Sequence, residues 1–147
     1  MKKVRLIVGK QFNLKTMSNL LKETLSNLLK ETLEILERNN KKETDVKWVG
    51  TTTHKTTWED FKKNADVNYD SGYGSSKVAQ DLLVVGDNWW LERGEYDGSE
   101  WWDYKEKPKE PTEAIELKAL TVNQADDLGY NVSCGWENLL AINGVPS

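Results

Sequence analysis

"VVGDNWWLERGEYDGSEWWDY", residues 84–104, carries four of the chain's seven tryptophans as two adjacent pairs, Trp89-Trp90 and Trp101-Trp102. Neighbouring side chains on a strand point to opposite faces, so each pair sends one indole to either side of a sheet. Between the pairs, "EYDGSE" supplies a turn in which Gly98 can take positive φ, and the stretch reads as a β-hairpin. A three-residue turn centred on Asp97 places Trp90 opposite Tyr104 and Arg93 opposite Trp101. Trp90, Trp102 and Tyr104 are then expected to pack inward, with Trp89 and Trp101 partly exposed beside Arg93 and Asp103. A one-residue change of register would invert that assignment.

Outward from the hairpin, "LLVVG" (82–86) predicts a buried strand leading into it. Upstream, "DVKWVGTTTHK" (45–55) is a Thr-rich strand candidate. Thr57 is positioned to cap a short helix, "WEDFKKNA", with Glu59 and Asp60 in its first turn. "NYDSGYGSS" reads as a loop, and Ser76 as the cap of one helical turn. Downstream, "EKPKEP" is a proline-punctuated connector. "AIELKALT" (114–121) alternates as a strand, and two short helices follow, stopped by Gly129 and Gly144.

The N-terminal third predicts a strand over 3–8 and then a long helix over about 13–39. Its apolar band runs Leu14, Met17, Leu21, Leu25, Leu28 and on to Leu36. Within it, "SNLLKETL" at 18–25 recurs letter for letter at 26–33. Eight residues turn a helix by about 800°, so the second copy is rotated by roughly 80° and widens the apolar band. That breaks the 3.5-residue seam a coiled coil needs, and two short copies are no solenoid. The fold class expected is α+β: the long helix packed on a mostly antiparallel sheet with the Trp-rich hairpin, in a single domain over 1–147.

With 147 residues, 37% hydrophobic and 30% charged, the composition is that of a soluble globular protein. No apolar run reaches the ~20 residues of a membrane span, and the apolar part of the N-terminal stretch is too short for a secretory signal. A lone cysteine, Cys134, suits a reducing cytoplasm. Charge is segregated: residues 1–86 hold 15 basic and 11 acidic side chains, whereas 87–116 hold 4 and 10. An acidic, Trp-rich middle disfavours direct nucleic-acid binding; it either attracts a basic protein surface or is a set of simply solvated acidic strand faces.

Candidate chemistry is sparse. Asp66, Asn68 and Asp70 in "DVNYDSG" open like a calcium loop. However, Ser71 stands where the sharp turn wants glycine, and Lys77 where the decisive bidentate Glu belongs. An Asx-rich turn explains the same letters, so no metal is expected. One histidine, His54, and one cysteine cannot build a zinc site, and their contexts do not suggest a thiolate–imidazole pair. Glu92, Glu95, Glu100 and Asp103 offer carboxylate pairs for glycoside hydrolysis, but acidic residues on a solvated sheet face give the same pattern. No phosphate loop is present, and no cofactor is implied.

"VGDNWWLERGEYDGSEWWDYKEKP", preceded by "NYDSGYGSSKVAQDLLV", resembles a group of small proteins encoded by phages and prophages of Gram-positive bacteria. The resemblance covers mainly residues 58–111 and brings no catalytic residues with it. It implies a protein working in the cytoplasm of a bacterial host. Its expected action is non-catalytic binding of a host protein, one with a basic nucleic-acid-binding surface, as a counter-defence inhibitor of the anti-CRISPR kind. The partner-binding set expected on the hairpin is Trp89, Arg93, Glu95, Asp97, Glu100, Trp101 and Asp103. The alternative is a metal-dependent or carbohydrate-acting module using loop 66–72 or the hairpin carboxylates.

Overall fold

The computed structural model describes residues 25–132 and 135–146. The chain divides into two compact units, the boundary falling after Lys107. The first unit is a mixed, antiparallel α+β structure. Its helices and strands among the described residues are β1 (Ser26–Asn27), α1 (Leu28–Arg38), β2 (Trp48–Gly50), β3 (Lys55–Thr56), α2 (Trp58–Ala65), β4 (Asn68–Tyr69), β5 (Leu83–Val85), β6 (Trp89–Tyr96) and β7 (Ser99–Glu106), with a 3-10 turn at Glu43–Asp45. β3-β2-β5-β6-β7 form one five-stranded sheet, and β1 pairs separately with β4.

α1 is shorter than the periodicity predicts. Of the span 13–39, residues 13–24 lie outside the described residues, as does the strand expected over 3–8. Leu25 to Asn27 are not helical. Asn27 is extended (φ −111°, ψ 121°), and its Oδ1 accepts the Lys30 amide at 3.0 Å, an N-cap that starts the helix at Leu28. Its Nδ2 donates to Asp66 Oδ1 and Asn68 Oδ1, both at 2.9 Å, and the Leu28 amide donates to the Val67 carbonyl. The helix therefore begins where a long-range clasp holds its cap. Leu28, Thr32, Ile35 and Leu36 make its buried stripe at i, i+4, i+7 and i+8.

The described part of α1 draws its cap, its first turn and Thr32 from the second "SNLLKETL" copy alone. Deleting either copy produces the same amino-acid sequence and leaves one full set of those residues in front of "EILERNN". The shortened protein is expected to keep a single cooperative thermal transition by circular dichroism. A broad, non-cooperative melt would show that both copies are structural.

The 45–55 stretch is a tight hairpin rather than one strand, because Thr51 donates to the His54 carbonyl at 2.8 Å and turns the chain between β2 and β3. Thr57 caps α2 as expected, accepting the Asp60 amide at 3.1 Å. The helical turn expected after Ser76 is instead a turn closed by the Leu82 amide on the Ala79 carbonyl. One row across the sheet aligns Val49, Val84, Leu91 and Tyr104 on the inner face, and the first three are wholly buried. α1 and α2 cover that face through Leu28, Leu36, Trp58 and Phe61. The parallel row on the outer face is Trp48, Val85, Trp90 and Lys105.

The hairpin turn holds two residues, not three. Tyr96 pairs with Ser99, and both Asp97 (φ 47°) and Gly98 (φ 85°) are left-handed, the signature of a type I′ turn. Register moves by one from the expectation: Arg93 lies opposite Trp102, Gly94 opposite Trp101, and Leu91 opposite Tyr104. That inverts the faces of β6 and leaves those of β7 as read. Trp89 is therefore inside and Trp90 outside.

The second unit contains α3 (Val122–Asp127) and α4 (Leu139–Ile142) around Ala119, Ala125 and Ile142. The strand expected over 114–121 does not form. Buried Asn143 does what a neighbouring strand would: its Oδ1 accepts the Lys118 and Ala119 amides and its Nδ2 donates to the Ala119 carbonyl. Gly129 and Gly144, at φ 81° and 69°, follow the two helices as the sequence predicts.

Candidate functional site

The corrected register sorts the hairpin residues into two sets. On the inner face, alternation along β6 continues Trp89 and Leu91 to Arg93, which puts a guanidinium inside the fold. Its side chain is 4% exposed, and it pairs with Glu31 Oε1 through Nη1 and with Glu100 Oε1 through Nη2, each at 3.0 Å. Nη2 also donates to Tyr69 Oη at 3.0 Å, and the cation lies 4.7 Å from the Trp102 ring centre. Glu100 further accepts the Lys77 amide at 2.7 Å and the Val78 amide at 3.1 Å. Two helix and loop segments are thus tied to the sheet through one cation.

Burial alone would raise the Glu100 pKa, but the Lys77 and Val78 amides and the Arg93 guanidinium outweigh it and hold it below the usual 4.5. Burial and the hydrogen bond to Glu31 push the Tyr69 phenol well up. Tyr104 is pushed up to about 12, chiefly by burial and then by its hydrogen bond to Glu106. Because the folded Glu100 pKa lies below the unfolded value, its stabilisation is full above pH 4.5 and is lost as pH falls through the folded value. Unfolding free energy measured by urea titration should therefore drop on acidification below about pH 4.5, and Glu100→Gln should flatten that slope.

The outer face is different. Trp90 Nε1 donates to Glu92 Oε2 and Trp101 Nε1 to Asp103 Oδ1, each at 2.8 Å. Each outward indole is thus fixed by the carboxylate two residues on, on the same face of its own strand. Trp101 lies across Gly94, where an added Cβ would come within 2.7 Å of its Nε1 and 2.5 Å of Asp103 Oδ2. Trp101 nevertheless stays 39% exposed, and Tyr96, on the same face near the turn, is 77% exposed.

Of the expected partner-binding set, Trp101 and Asp103 are on the outer face, Asp97 is exposed in the turn, and Glu95, though exposed near the turn, lies on the Arg93 face of β6. Trp89, Arg93 and Glu100 are buried, which corrects the expected exposure of the Trp89 face. Trp89 stacks on Tyr104 (5.9 Å, 21°), and Arg93 is committed to its carboxylates. Trp90, Tyr96 and Trp48 belong to the outer face and were not in the set. The DG dipeptide, which favours a two-residue turn, was the signal that identifies the first two.

The other candidate residues make structural contacts. Asp66 and Asn68 hold the Asn27 cap, and Asp70 accepts the Gly72 amide in an Asx turn. Among the described residues no three His, Cys or acidic side chains cluster as a metal site. His54 is exposed, and its Nδ1 meets Thr53 Oγ1 at 2.9 Å. Glu43, which accepts the Trp58 Nε1 proton and pairs with Lys62, each at 3.0 Å, is held below the usual carboxylate range by those contacts. An apolar cleft of about 440 Å³ beside α2 is walled by Leu28, Val49, Phe61, Val78 and Leu82, with Asp60 as its one carboxylate. Among the described residues no helix is long and apolar enough to cross a membrane. No family model, curated protein or solved structure matches the chain.

Proposed function

We propose that this chain acts without catalysis, as a protein-binding module whose docking surface is the outer face of the hairpin sheet. The observation that carries the reading is the Trp101–Asp103 and Trp90–Glu92 pairing. It presents two indoles in fixed orientation, each held by one carboxylate, with Tyr96 exposed beside them. Aromatic groups held rigid before binding lose little entropy on docking, and Trp and Tyr dominate interface hot spots. Carboxylates around them steer a basic partner, such as a protein surface that normally holds nucleic acid. The phage resemblance of residues 58–111 supports a partner from the bacterial host, blocked as a counter-defence measure in the host cytoplasm.

Immobilised protein should retain one host protein from a Gram-positive lysate, with retention weakened by salt. Trp101→Ala should weaken binding of that protein by more than ~1 kcal/mol, about fivefold, and leave the thermal midpoint nearly unchanged. Equal affinity of wild type and Trp101→Ala, measured by calorimetry, would remove the outer face as the binding surface.

A further inference from the structure

β7 closes one side of the five-stranded sheet, and among the described residues no strand pairs with its far side. The two-residue turn decides which backbone groups face that way. Tyr96 and Ser99 exchange both hydrogen bonds across such a turn, and every second pair beyond them does the same. Trp101, Asp103 and Lys105 therefore direct their amides and carbonyls to β6. Glu100, Trp102, Tyr104 and Glu106 direct theirs outward. The Glu100 amide is taken by the Ser71 carbonyl at 2.8 Å. The outward backbone groups of Trp102, Tyr104 and Glu106 meet no backbone partner among the described residues. β7 is eight residues long, lacks proline and pairs with β6 without a bulge, and the charges that guard this edge, Asp103, Lys105 and Glu106, are of both signs, so they repel some pairings and favour others.

The occupant follows from charge. In an antiparallel pair of two β7 strands, outward residues must face outward residues, which allows two-fold centres at Asp103, Tyr104 or Lys105. A centre at Asp103 sets aspartate against aspartate, and one at Lys105 sets lysine against lysine. A centre at Tyr104 sets Asp103 of each copy opposite Lys105 of the other, with Trp102 opposite Glu106 and the two tyrosines facing. Pairing would end where the edge is already used, since Glu100 is bound to Ser71 and Pro108 follows Lys107 with no amide to give. We infer that the Trp102–Glu106 edge of β7 is a self-association surface, on which a second copy of this chain adds antiparallel about Tyr104 to make one sheet continuous through both.

Sedimentation equilibrium of the full chain, from micromolar to submillimolar concentration, tests this directly, and its readout does not depend on any host partner. The wild type should show a reversible monomer–dimer equilibrium. Glu106→Pro removes an outward amide without touching the β6 ladder and should weaken the dimer by about tenfold or more. Lys105→Asp should do likewise by setting acid against acid, and adding Asp103→Lys to it should restore association. Thermal melts confirm that each variant is folded, and Lys105→Asp leaves the backbone unaltered should Glu106→Pro fail that check. A monomer at every concentration, or a dimer indifferent to Lys105→Asp, would overturn the inference.

Discussion

Arg93→Met should lower the free energy of unfolding by about 3–5 kcal/mol, read as a fall in the urea midpoint at constant slope. Methionine matches much of the arginine stem, so the loss is electrostatic rather than volumetric. It leaves Glu100, 3% exposed at its side chain, and Glu31, 23% exposed, facing each other without their cation. The Tyr69 hydroxyl also loses the Nη2 donor, and Trp102 the cation over its ring. Against a total stability of about 5–15 kcal/mol for a domain, such a change comes close to unfolding it. The mechanism makes a second, sharper expectation. If the uncompensated carboxylate is what costs, Arg93→Met with Glu100→Gln should be less destabilised than Arg93→Met alone. A double variant that is worse by the sum of the two single losses would show instead that packing around the guanidinium dominates.

That cluster also shows what sequence reasoning reaches and where it stops. Local signals were legible: Thr57 caps its helix, a strand forms within 82–86 as Leu83–Val85 with Val84 buried, Gly129 and Gly144 follow their helices, and the tryptophan pairs do form a hairpin. The faces of β6 turned on a single residue of turn length. Asp97 and Gly98, at φ 47° and 85°, make the two-residue turn that a DG dipeptide favours, and the three-residue turn expected from the sequence shifts every β6 partner by one. Once Trp89 and Leu91 are known to be inside, strand alternation puts Arg93 inside too. A charge is tolerated there only because Glu31, sixty-two positions away, and Glu100 across the hairpin converge on it. Such convergence leaves no local mark. The same holds for α1, whose start is decided by Asn27 reaching Asp66 and Asn68, and for 114–121, where alternation is present but Asn143 takes the amides. The binding surface was half legible for the same reason: Trp101 and Asp103 follow from β7 alone, Trp90 and Tyr96 from the register.

Trp102→Ala should be the most damaging single change at a tryptophan of the hairpin, about 3–5 kcal/mol, where Trp101→Ala is nearly neutral to stability. The two residues are neighbours in sequence and share a strand, so propensity and turn chemistry cancel in the comparison, leaving burial and contacts to decide it. Trp102 is 5% exposed, packs in the cluster with Leu28, Leu36 and Leu91, and carries the Arg93 cation over its ring. Its Nε1 donates at 2.8 Å to Thr32 Oγ1, whose own proton goes to the Leu28 carbonyl at 2.6 Å. Thr32 is wholly buried in the middle of α1, and its hydroxyl is a second polar bridge between helix and sheet beside the Glu31–Arg93 pair. Removing the indole opens a cavity, leaves the Thr32 oxygen short of a donor, and strips one wall from a buried ion cluster. These losses share atoms, so Trp102→Ala and Arg93→Met should together cost less than the sum of their separate effects. Trp102→Phe divides the terms, restoring most of the volume but not the donor, and should recover more than half of the stability if packing leads. Equal losses for Trp101→Ala and Trp102→Ala would mean that both faces of β7 are core, and the outer face would then no longer serve as a docking surface.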